Sequence, residues 1–379
     1  MPLVLTEEQE LLRETAREFV AERAPIAQLR QLRDERDPSG FSRELWSEMA
    51  QLGWAGIPFS EEYGGADLGY TELGIVLEET GRTLAASPLV SSVLLGGSTL
   101  LLGGNETQRK EWLTGVCGGE TLLALAIQEG PHHSPWNVAT RAETDGDGYR
   151  LNGAKTFVVD GHVADRLIVA ARSAGEQSER DGLTLFCVDA SAPGVGLARA
   201  SMVDGRNAAR LTLDGVRAER SEVLGEIGQG AELLDAVLDR GAAGLAAEML
   251  GSLDTAFQKT LAYLKQREQF GVPIGSFQAL KHRAARMFVQ LELSRSVVLD
   301  ALQALDGDHP DASAKASLAK AQLSDAAPSI ANECVQMHGG IGVTDEEDIG
   351  LYLKRARVTQ FALGDAAFHR DRYAGMHGY

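Results

Sequence analysis

The residues best suited to chemistry in this sequence cluster in segment 263–287, YLKQREQFGVPIGSFQALKHRAARM. Arg267 carries a planar guanidinium that can hold a phosphate or carboxylate through two parallel hydrogen bonds. Gln269 and Gln278 offer amide donors and acceptors, and Phe270 adds a flat apolar face. Taken singly, each residue fits an ordinary helix–turn–helix with a surface arginine. Their functional interpretation is a binding site for a polar ligand that carries a phosphate or carboxylate.

A second segment with binding potential is 336–358, QMHGGIGVTDEEDIGLYLKRARV. Gly339, Gly340 and Gly342 predict a flexible loop whose backbone N–H groups can face a pyrophosphate. A glycine-rich loop of this kind is weak evidence by itself, because many such loops simply end helices. His338, beside the loop, fits a structural role better than a ligand-binding one.

The composition excludes several classes of protein. The chain has 379 residues, 44% hydrophobic and 24% charged, and a net charge of -18, which predicts two or three packed units and no nucleic-acid-binding surface. Its three cysteines are far apart and show no C-x-x-C pair, so we expect reduced thiols and no metal site. No signal peptide and no membrane span is visible, and we expect a cytoplasmic protein.

The pattern of elements changes twice along the chain and predicts three domains. Capping boxes at Thr6 with Gln9 and at Asn105 with Gln108 open helices in a largely helical first part. The middle part is rich in short, alternating and β-branched segments, with a hairpin turn at 146–148. The last part predicts four long helices near 228–266, 276–306, 311–338 and 346–375. The predicted domains are an N-terminal helical domain (1–120), a middle β-domain (121–226) and a C-terminal four-helix bundle (227–379).

Three motifs resemble the flavin-dependent acyl-CoA dehydrogenase family. R-x-Q-F-G-x-P-I-x-x-F-Q, from Arg267 to Gln278, resembles the flavin-binding turn of that family. Q-x-H-G-G-x-G, from Gln336 to Gly342, resembles its second flavin segment, and PFSEEYGGADLGYTELGIVLEETGR, 58–82, resembles its N-terminal signature. The resemblance implies a mainly α fold with a small central β-barrel or sandwich, bound FAD, and α,β-dehydrogenation of an acyl-CoA thioester. It also implies a tetramer, homomeric or heteromeric, and an electron-transfer flavoprotein or similar acceptor as partner.

The same resemblance assigns flavin contacts residue by residue. It implies that the FAD of a neighbouring subunit is contacted by Arg267, Gln269 and Phe270. It implies that the pyrophosphate is contacted by Gln336, Gly339 and Gly340. In the β-domain, Gln128 and Ser134 match positions that hydrogen-bond the flavin. Phe157 stands where the family has a tryptophan over the ring and can still stack, whereas Val159 replaces a hydrogen-bonding threonine.

Both positions at which the family places its catalytic glutamate lack a carboxylate. One is Leu363, in FALGDAAFHR, and the other is Gly241, on the long helix 26 residues before the flavin arginine. Two nearby carboxylates are candidate replacements for the base. Asp365 lies two residues after Leu363 and alternatively hydrogen-bonds the flavin. Glu248 shares a helix face with Gly241 but lies about 10 Å further along the axis, and is alternatively a buried, satisfied carboxylate.

Three functions remain open at this stage. The first is one subunit of a heteromeric acyl-CoA dehydrogenase in fatty-acid or steroid side-chain degradation, because 157–161 and 363–370 resemble the base-lacking small subunits of such enzymes. The second is a self-sufficient homotetrameric dehydrogenase with a relocated base. The third is a flavin oxidase or hydroxylase on the same scaffold.

Overall fold

A computed structural model describes residues 4–379 as two compact units. The first, here called the bundle unit, contains residues up to Gln31 together with Tyr70–Ala85 and Ala242–Tyr379; the second, the sheet unit, contains Leu32–Gly69 and Ala86–Gly241. The helices are α1 (Glu7–Arg23), α2 (Ile26–Asp34), α3 (Arg43–Gln51), α4 (Tyr70–Arg82), α5 (Ser98–Gly103), α6 (Glu106–Gln108), α7 (Thr114–Cys117), α8 (Gly230–Gln266), α9 (Gln278–Asp306), α10 (Ala312–His338), α11 (Ile349–Phe361) and α12 (Ala366–Met376). No helix among these residues is long and apolar enough to cross a membrane.

The bundle unit is built from long helices with apolar faces turned inward. α10 carries many small buried residues, among them Ala316, Ala319 and Ala327, which lets its neighbours approach closely. α9, α11 and α12 all pack against α10, so α10 is the central helix of this unit. The loops that carry most of the predicted site residues lie at the ends of these helices.

Two glycines allow α4 and α8 to cross with their backbones almost touching. A Cβ placed on Gly81 would lie 2.1 Å from the carbonyl oxygen of Glu248, and one on Gly251 would lie 1.8 Å from that of Glu78. The two glycines are reciprocal, since each helix supplies one glycine and one facing carbonyl. Any larger side chain at either position would force the two backbones apart.

The sheet unit holds one mixed sheet of eight strands in the order β6-β7-β3-β2-β4-β5-β8, with β1 parallel to β4. Its strands are β1 (Leu123–Ala126), β2 (Arg141–Asp145), β3 (Gly148–Val159), β4 (Arg166–Arg172), β5 (Leu183–Asp189), β6 (Val195–Ser201), β7 (Asn207–Ala218) and β8 (Val223–Leu224). A separate two-stranded hairpin consists of β9 (Glu268–Gln269) and β10 (Val272–Pro273). β4 and β5 are buried almost throughout, whereas β7 alternates between buried and exposed positions.

Several predicted features are confirmed. The fold class, mainly helical with a central sheet, agrees with the structure. Both capping boxes form, with the side chain of Thr6 accepting from Gln9 N and that of Asn105 accepting from Gln108 N. The hairpin turn at 146–148 joins β2 to β3. The division into three domains stays a prediction.

One helix prediction was wrong. The last helix was expected to run without interruption over 346–375, but it breaks into α11 and α12. Leu363 and Gly364 have φ of +58° and +99°, which no right-handed helix accommodates, and the side chain of Asp365 then caps α12. The break creates a loop at the position that the family resemblance assigns to the catalytic base.

Candidate active site

The turn that follows α8 presents aromatic and polar side chains to solvent. Phe270 and Gly271 form the tip of the β9–β10 hairpin with φ of +56° and +79°. Phe270 is 91% exposed, and the polar side chains of Arg267, Gln269 and Gln278 around it are exposed as well. Burial of such an exposed apolar side chain is favourable, so a ligand or another chain that covered this tip would be stabilised by the contact.

The end of α10 offers an open stretch of backbone. Gly339 ends the helix with φ of +66°, and a Cβ added at Gly339 or at Gly340 would meet no atom within 4 Å. Gln336, in the last turn, is exposed beside them. Gly342 differs, because a Cβ there would lie 2.7 Å from the carbonyl oxygen of Val335. The first two glycines therefore leave room for a ligand, whereas the third serves the packing of the loop.

His338 has the structural role that the sequence favoured. Its side chain is buried, its ring stacks on Tyr263 with centroids 4.5 Å apart, and its Nδ1 lies 2.7 Å from the carbonyl oxygen of Cys334. This stack joins α8 to α10 directly beneath the glycine loop. Among residues 4–379 there is no group of three or more His, Cys, Asp or Glu that could hold a metal ion.

In the sheet unit, the structure brings the predicted flavin residues of two segments together. The N–H of Thr156 donates to the carbonyl oxygen of Gln128 at 2.7 Å, which fixes the loop after β1 against β3. Phe157 lies at a shift in the register between β3 and β7, with φ of +52°, and its side chain is 57% exposed. Ser134 lies on the same loop as Gln128 and is exposed.

A buried ion pair supports that loop from below. Oε1 of Glu129 accepts from Nζ of Lys155 at 2.7 Å and from Oγ1 and N of Thr140 at 2.6 and 3.0 Å, while Oε2 accepts from N of Ala139 at 2.6 Å. Burial alone would raise the pKa of Glu129, but Lys155 and these donors hold it below its usual value. Burial lowers the pKa of Lys155 to about 8, against the opposing effect of Glu129. The pair is therefore ionised at neutral pH and anchors the loop at its two ends.

The loop between α11 and α12 contains the first of the two positions that the sequence resemblance assigns to the catalytic base. Leu363 stands there with left-handed backbone geometry, which is uncommon for a residue with a side chain and costs about 1–2 kcal/mol. Asp365 follows as the N-cap of α12, and its Oδ1 accepts from N of Phe368 at 2.9 Å. The structure thus gives this carboxylate a capping role.

Buried side chains hold the carbonyls of this loop. Nζ of Lys320 donates to the carbonyl oxygen of Gly364 at 2.7 Å, to that of Gln360 at 3.3 Å and to Oγ of Ser324 at 2.8 Å. Nε2 of His369 lies 2.9 Å from the carbonyl oxygen of Leu363. Lys320 is fully buried, and burial lowers its pKa to about 7, partly offset by Asp365.

The second candidate base, Glu248, is bound to an arginine. Its Oε1 accepts from Nη2 of Arg355 at 2.6 Å and from Nε at 2.9 Å, and only 4% of its side chain is exposed. The arrangement matches the alternative role given to Glu248, a buried carboxylate whose charge is satisfied. Gly241, the other position that the sequence resemblance assigns to the base, is buried within α8.

Sequence reasoning missed the residues that support both loops. Lys155, Lys320 and His369 were not singled out, although Lys320 shows a usable signal, since it stands in an alanine-rich helix where its neighbours Ala316 and Ser324, one turn away on either side, are buried. A lysine on the apolar face of a helix is rarely buried without a specific set of acceptors.

The exposed groups fit an FAD molecule better than a small polar ligand. An isoalloxazine ring needs aromatic and apolar surface, and Phe157 provides such a surface in an exposed position of the sheet unit. A pyrophosphate needs cationic and N–H donors, and Arg267, Gly339 and Gly340 provide those on open surface.

Comparison with known proteins agrees with this reading along the chain. The family models for the N-terminal, middle and C-terminal domains of acyl-CoA dehydrogenases match residues 6–120, 128–216 and 228–375. A curated relative, the 3-(aryl)acrylate reductase of Clostridium sporogenes, is 33% identical over 366 residues, covering 94% of each chain.

Solved structures show the same likeness. A variant of the Tcur3481-Tcur3483 steroid ACAD superposes with a TM-score of 0.88 at 32% identity, covering 98% of each chain. The ChsE4-ChsE5 complex from Mycobacterium tuberculosis gives a TM-score of 0.90 at 28% identity, covering 100% of each chain. The chain therefore belongs to the acyl-CoA dehydrogenase family, whose members are FAD-dependent oxidoreductases that act on acyl-CoA thioesters.

Proposed function

We propose that this chain is one subunit of a heteromeric acyl-CoA dehydrogenase and depends on a second chain for the catalytic base. The observation that carries the proposal is Leu363: an apolar residue occupies the family's base position, on a backbone that the surrounding side chains hold in an unfavourable conformation. Removal of the proton α to a thioester carbonyl needs a positioned base, which is worth about 10²–10⁴-fold in rate.

The two carboxylates near the base positions have other partners in the fold. Glu248 is committed to Arg355 inside the bundle unit, and separating them would leave a buried charge unpaired. Asp365 caps α12, and that role is lost if its side chain turns toward a substrate. Neither carboxylate is free to act as a base without a cost to the fold, which supports a base supplied by another chain.

In this proposal, the chain's own residues bind the cofactor and orient it. Bound FAD supplies the acceptor for the hydride that leaves the β-carbon of the substrate. The residues that would hold the cofactor are, in the bundle units of two neighbouring subunits, Arg267, Gln269, Phe270 and Gln278 of one and Gln336, Gly339 and Gly340 of the other. In the sheet unit, Gln128, Ser134 and Phe157 would contact it. The exposed glutamine amides orient the polar edges of the cofactor, and Arg267 compensates its negative charge.

Exposed apolar residues on α9 support an oligomer. Phe288, Val289 and Leu293 are 53%, 55% and 57% exposed, and the last two lie one helical turn apart. α9 buries Met287 and Leu291 on its inner side, so the helix is apolar on two faces. We infer that a chain of the same fold covers the outer face, within a tetramer. The name of the ChsE4-ChsE5 complex joins two different chains, which favours a heteromeric assembly.

The first experiment is an anaerobic titration of the chain, purified alone and loaded with FAD. The acyl-CoA panel includes aryl and steroid side-chain esters, following the names of the similar proteins. We expect dithionite to bleach the flavin band and no acyl-CoA to do so. Leu363→Glu restores a carboxylate at the base position, and we expect it to raise the rate of flavin reduction by about 10²-fold or more.

Leu363→Gln is the matched control, because glutamine has nearly the same shape as glutamate but cannot act as a base. This variant should behave like the unmodified chain. Rapid bleaching of the unmodified chain by any acyl-CoA would contradict the proposal and favour a self-sufficient enzyme. In that case Asp365→Asn should abolish bleaching, because Asp365 is the half-buried carboxylate next to the base position. Fast reoxidation of the reduced flavin by oxygen would instead favour an oxidase.

A further inference from the structure

Lys320 is an unusual buried cation. Its Nζ donates to three neutral oxygens, Oγ of Ser324 and the carbonyl oxygens of Gln360 and Gly364, at 2.8, 3.3 and 2.7 Å. An ammonium has three N–H donors, so this set satisfies all of them. Burial of a charged amine is costly without such partners, and the set is therefore a built site rather than a chance contact.

The two carbonyls that bind Lys320 flank the break between α11 and α12. Gln360 is among the last residues of α11, where helical carbonyls have no intrahelical partner, and Gly364 lies on the far side of the reversal. A single cation that binds both carbonyls links the two ends of the loop. It also interacts favourably with the negative, C-terminal end of the α11 dipole. Ser324 adds a second donor to Gln360 at 3.2 Å.

The backbone at residue 363 lies within this bridge. Leu363 has φ of +58°, and its carbonyl oxygen is 2.9 Å from Nε2 of His369. A strained backbone persists only where the surroundings determine it, and such sites are often functional. Here the surroundings are a buried lysine on α10 and a buried histidine on α12, on opposite sides of the strained residue in the chain.

We propose that Lys320 is a positioning residue that holds the carbonyls of Gln360 and Gly364 and so fixes the direction in which the side chain at position 363 points. The inference rests on the proposed function, in which position 363 is the base position. It adds that the residues that would position a base at position 363 are present in this chain, although the base itself is absent. These residues determine where a carboxylate introduced at position 363 would act.

The first test is hydrogen–deuterium exchange on the full-length chain. Lys320→Met removes the donors and keeps a similar volume, and Lys315→Met is the matched control, since Lys315 lies on the same helix and pairs with Asp300 near the surface. We expect about tenfold faster exchange in peptides that cover Ala362–Phe368, the equivalent of one lost hydrogen bond. Peptides of α9 should be unchanged, and Lys315→Met should leave the loop as it is.

Two results would overturn the inference: unchanged exchange in the loop, or faster exchange spread evenly over α8, α9 and α10, which indicates a general structural role. If Lys320→Met does not fold, Ser324→Ala replaces it. This milder variant removes one donor to Gln360, and we expect a smaller acceleration confined to the same peptides.

The second test uses Leu363→Glu as the background. Adding Lys320→Met should lower the rate of flavin reduction by about tenfold or more while the Kd for acyl-CoA stays within about twofold, because the carboxylate is misdirected but the binding surface is intact. Equal rates in the two backgrounds would overturn the positioning role. If Leu363→Glu alone gives no flavin reduction, the proposed function fails, whereas hydrogen exchange still decides whether Lys320 holds the loop.

Discussion

Two buried lysines support the two loops on which the predicted site depends, and they do so differently. Lys155 lies in the sheet unit, two residues before Phe157, and its Nζ binds the carboxylate of Glu129. Lys320 lies in the bundle unit beneath Leu363 and binds neutral oxygens. Each lysine lies near a side chain on a left-handed backbone, since φ is +52° at Phe157, in β3, and +58° at Leu363, in the loop between α11 and α12.

The difference lies in how the charge is compensated. Lys155 keeps a full counter-charge at 2.7 Å, and burial lowers its pKa to about 8. Lys320 has Asp365 as a longer-range attraction, and burial lowers its pKa to about 7. We infer that Lys155 stabilises the whole fold, whereas Lys320 stabilises one local conformation. Lys320 is also only partly charged at neutral pH, because its pKa is about 7.

The largest expected effect is the loss of the ion pair in the sheet unit. Lys155→Met leaves the buried carboxylate of Glu129 without its cation, and we expect the free energy of unfolding of the apo chain in urea to fall by about 3 kcal/mol. The double variant with Glu129→Gln should recover a large part of this loss, because no uncompensated charge remains. If Lys155→Met and Lys320→Met cost the same, the comparison between the two lysines is wrong.

A smaller effect is expected from pH. An unfolded lysine keeps its proton up to about pH 10.5, whereas folded Lys320 releases it near pH 7, so between these values the unfolded state binds more protons. The free energy of unfolding should therefore rise with pH in this window, by up to about 1.4 kcal/mol per pH unit from this group.

The check is urea unfolding at pH 6 to 9, in which the free energy of unfolding of Lys320→Met is subtracted from that of the unmodified chain. The difference should be flat below about pH 7 and rise above it, and the corresponding difference for Lys155→Met should include a rise that begins near pH 8. Parallel curves for the unmodified chain and Lys320→Met would show that Lys320 does not titrate in this range.

The smallest effect concerns the two strained backbones. Phe157→Gly relieves the left-handed strain and loses little burial, because the ring is 57% exposed, so we expect a gain of about 0.5 kcal/mol in unfolding free energy. Leu363→Gly gives up a half-buried side chain and should bring no gain. Phe157→Ala is the control: it loses the same ring but keeps a Cβ on the strained backbone, and a gain there would contradict the explanation.

The parts of the fold that could be predicted depend on local interactions. The capping boxes at Thr6 and Asn105 involve residues three positions apart, so the helix starts are visible in the sequence. The hairpin at 146–148 is equally local. The binding roles of Arg267, Gln269 and Phe270 stay predictions, and the structure shows that the three side chains are exposed.

The features that were missed depend on partners far away in the chain. The break at Leu363 has local signals in Gly364 and in Asp365, which caps α12, but Lys320, which binds the carbonyl oxygen of Gly364, lies more than 40 residues earlier. Two of its three acceptors are backbone carbonyls, which every residue possesses, so no residue type in the sequence indicates them. The ion pair between Glu248 and Arg355 joins residues 107 positions apart, and helix periodicity does not predict it either.

The crossing of α4 and α8 limits how this chain can change over generations. Every glycine codon becomes an alanine codon by one base substitution, so this exchange arises repeatedly in any lineage. At Gly81 and Gly251 it would place a methyl carbon 2.1 Å and 1.8 Å from a facing carbonyl oxygen, and a backbone oxygen cannot swing aside as a flexible side chain can. Selection should therefore keep both glycines where nearly everything around them has diverged, and the pair becomes a marker by which distant relatives can be placed in register.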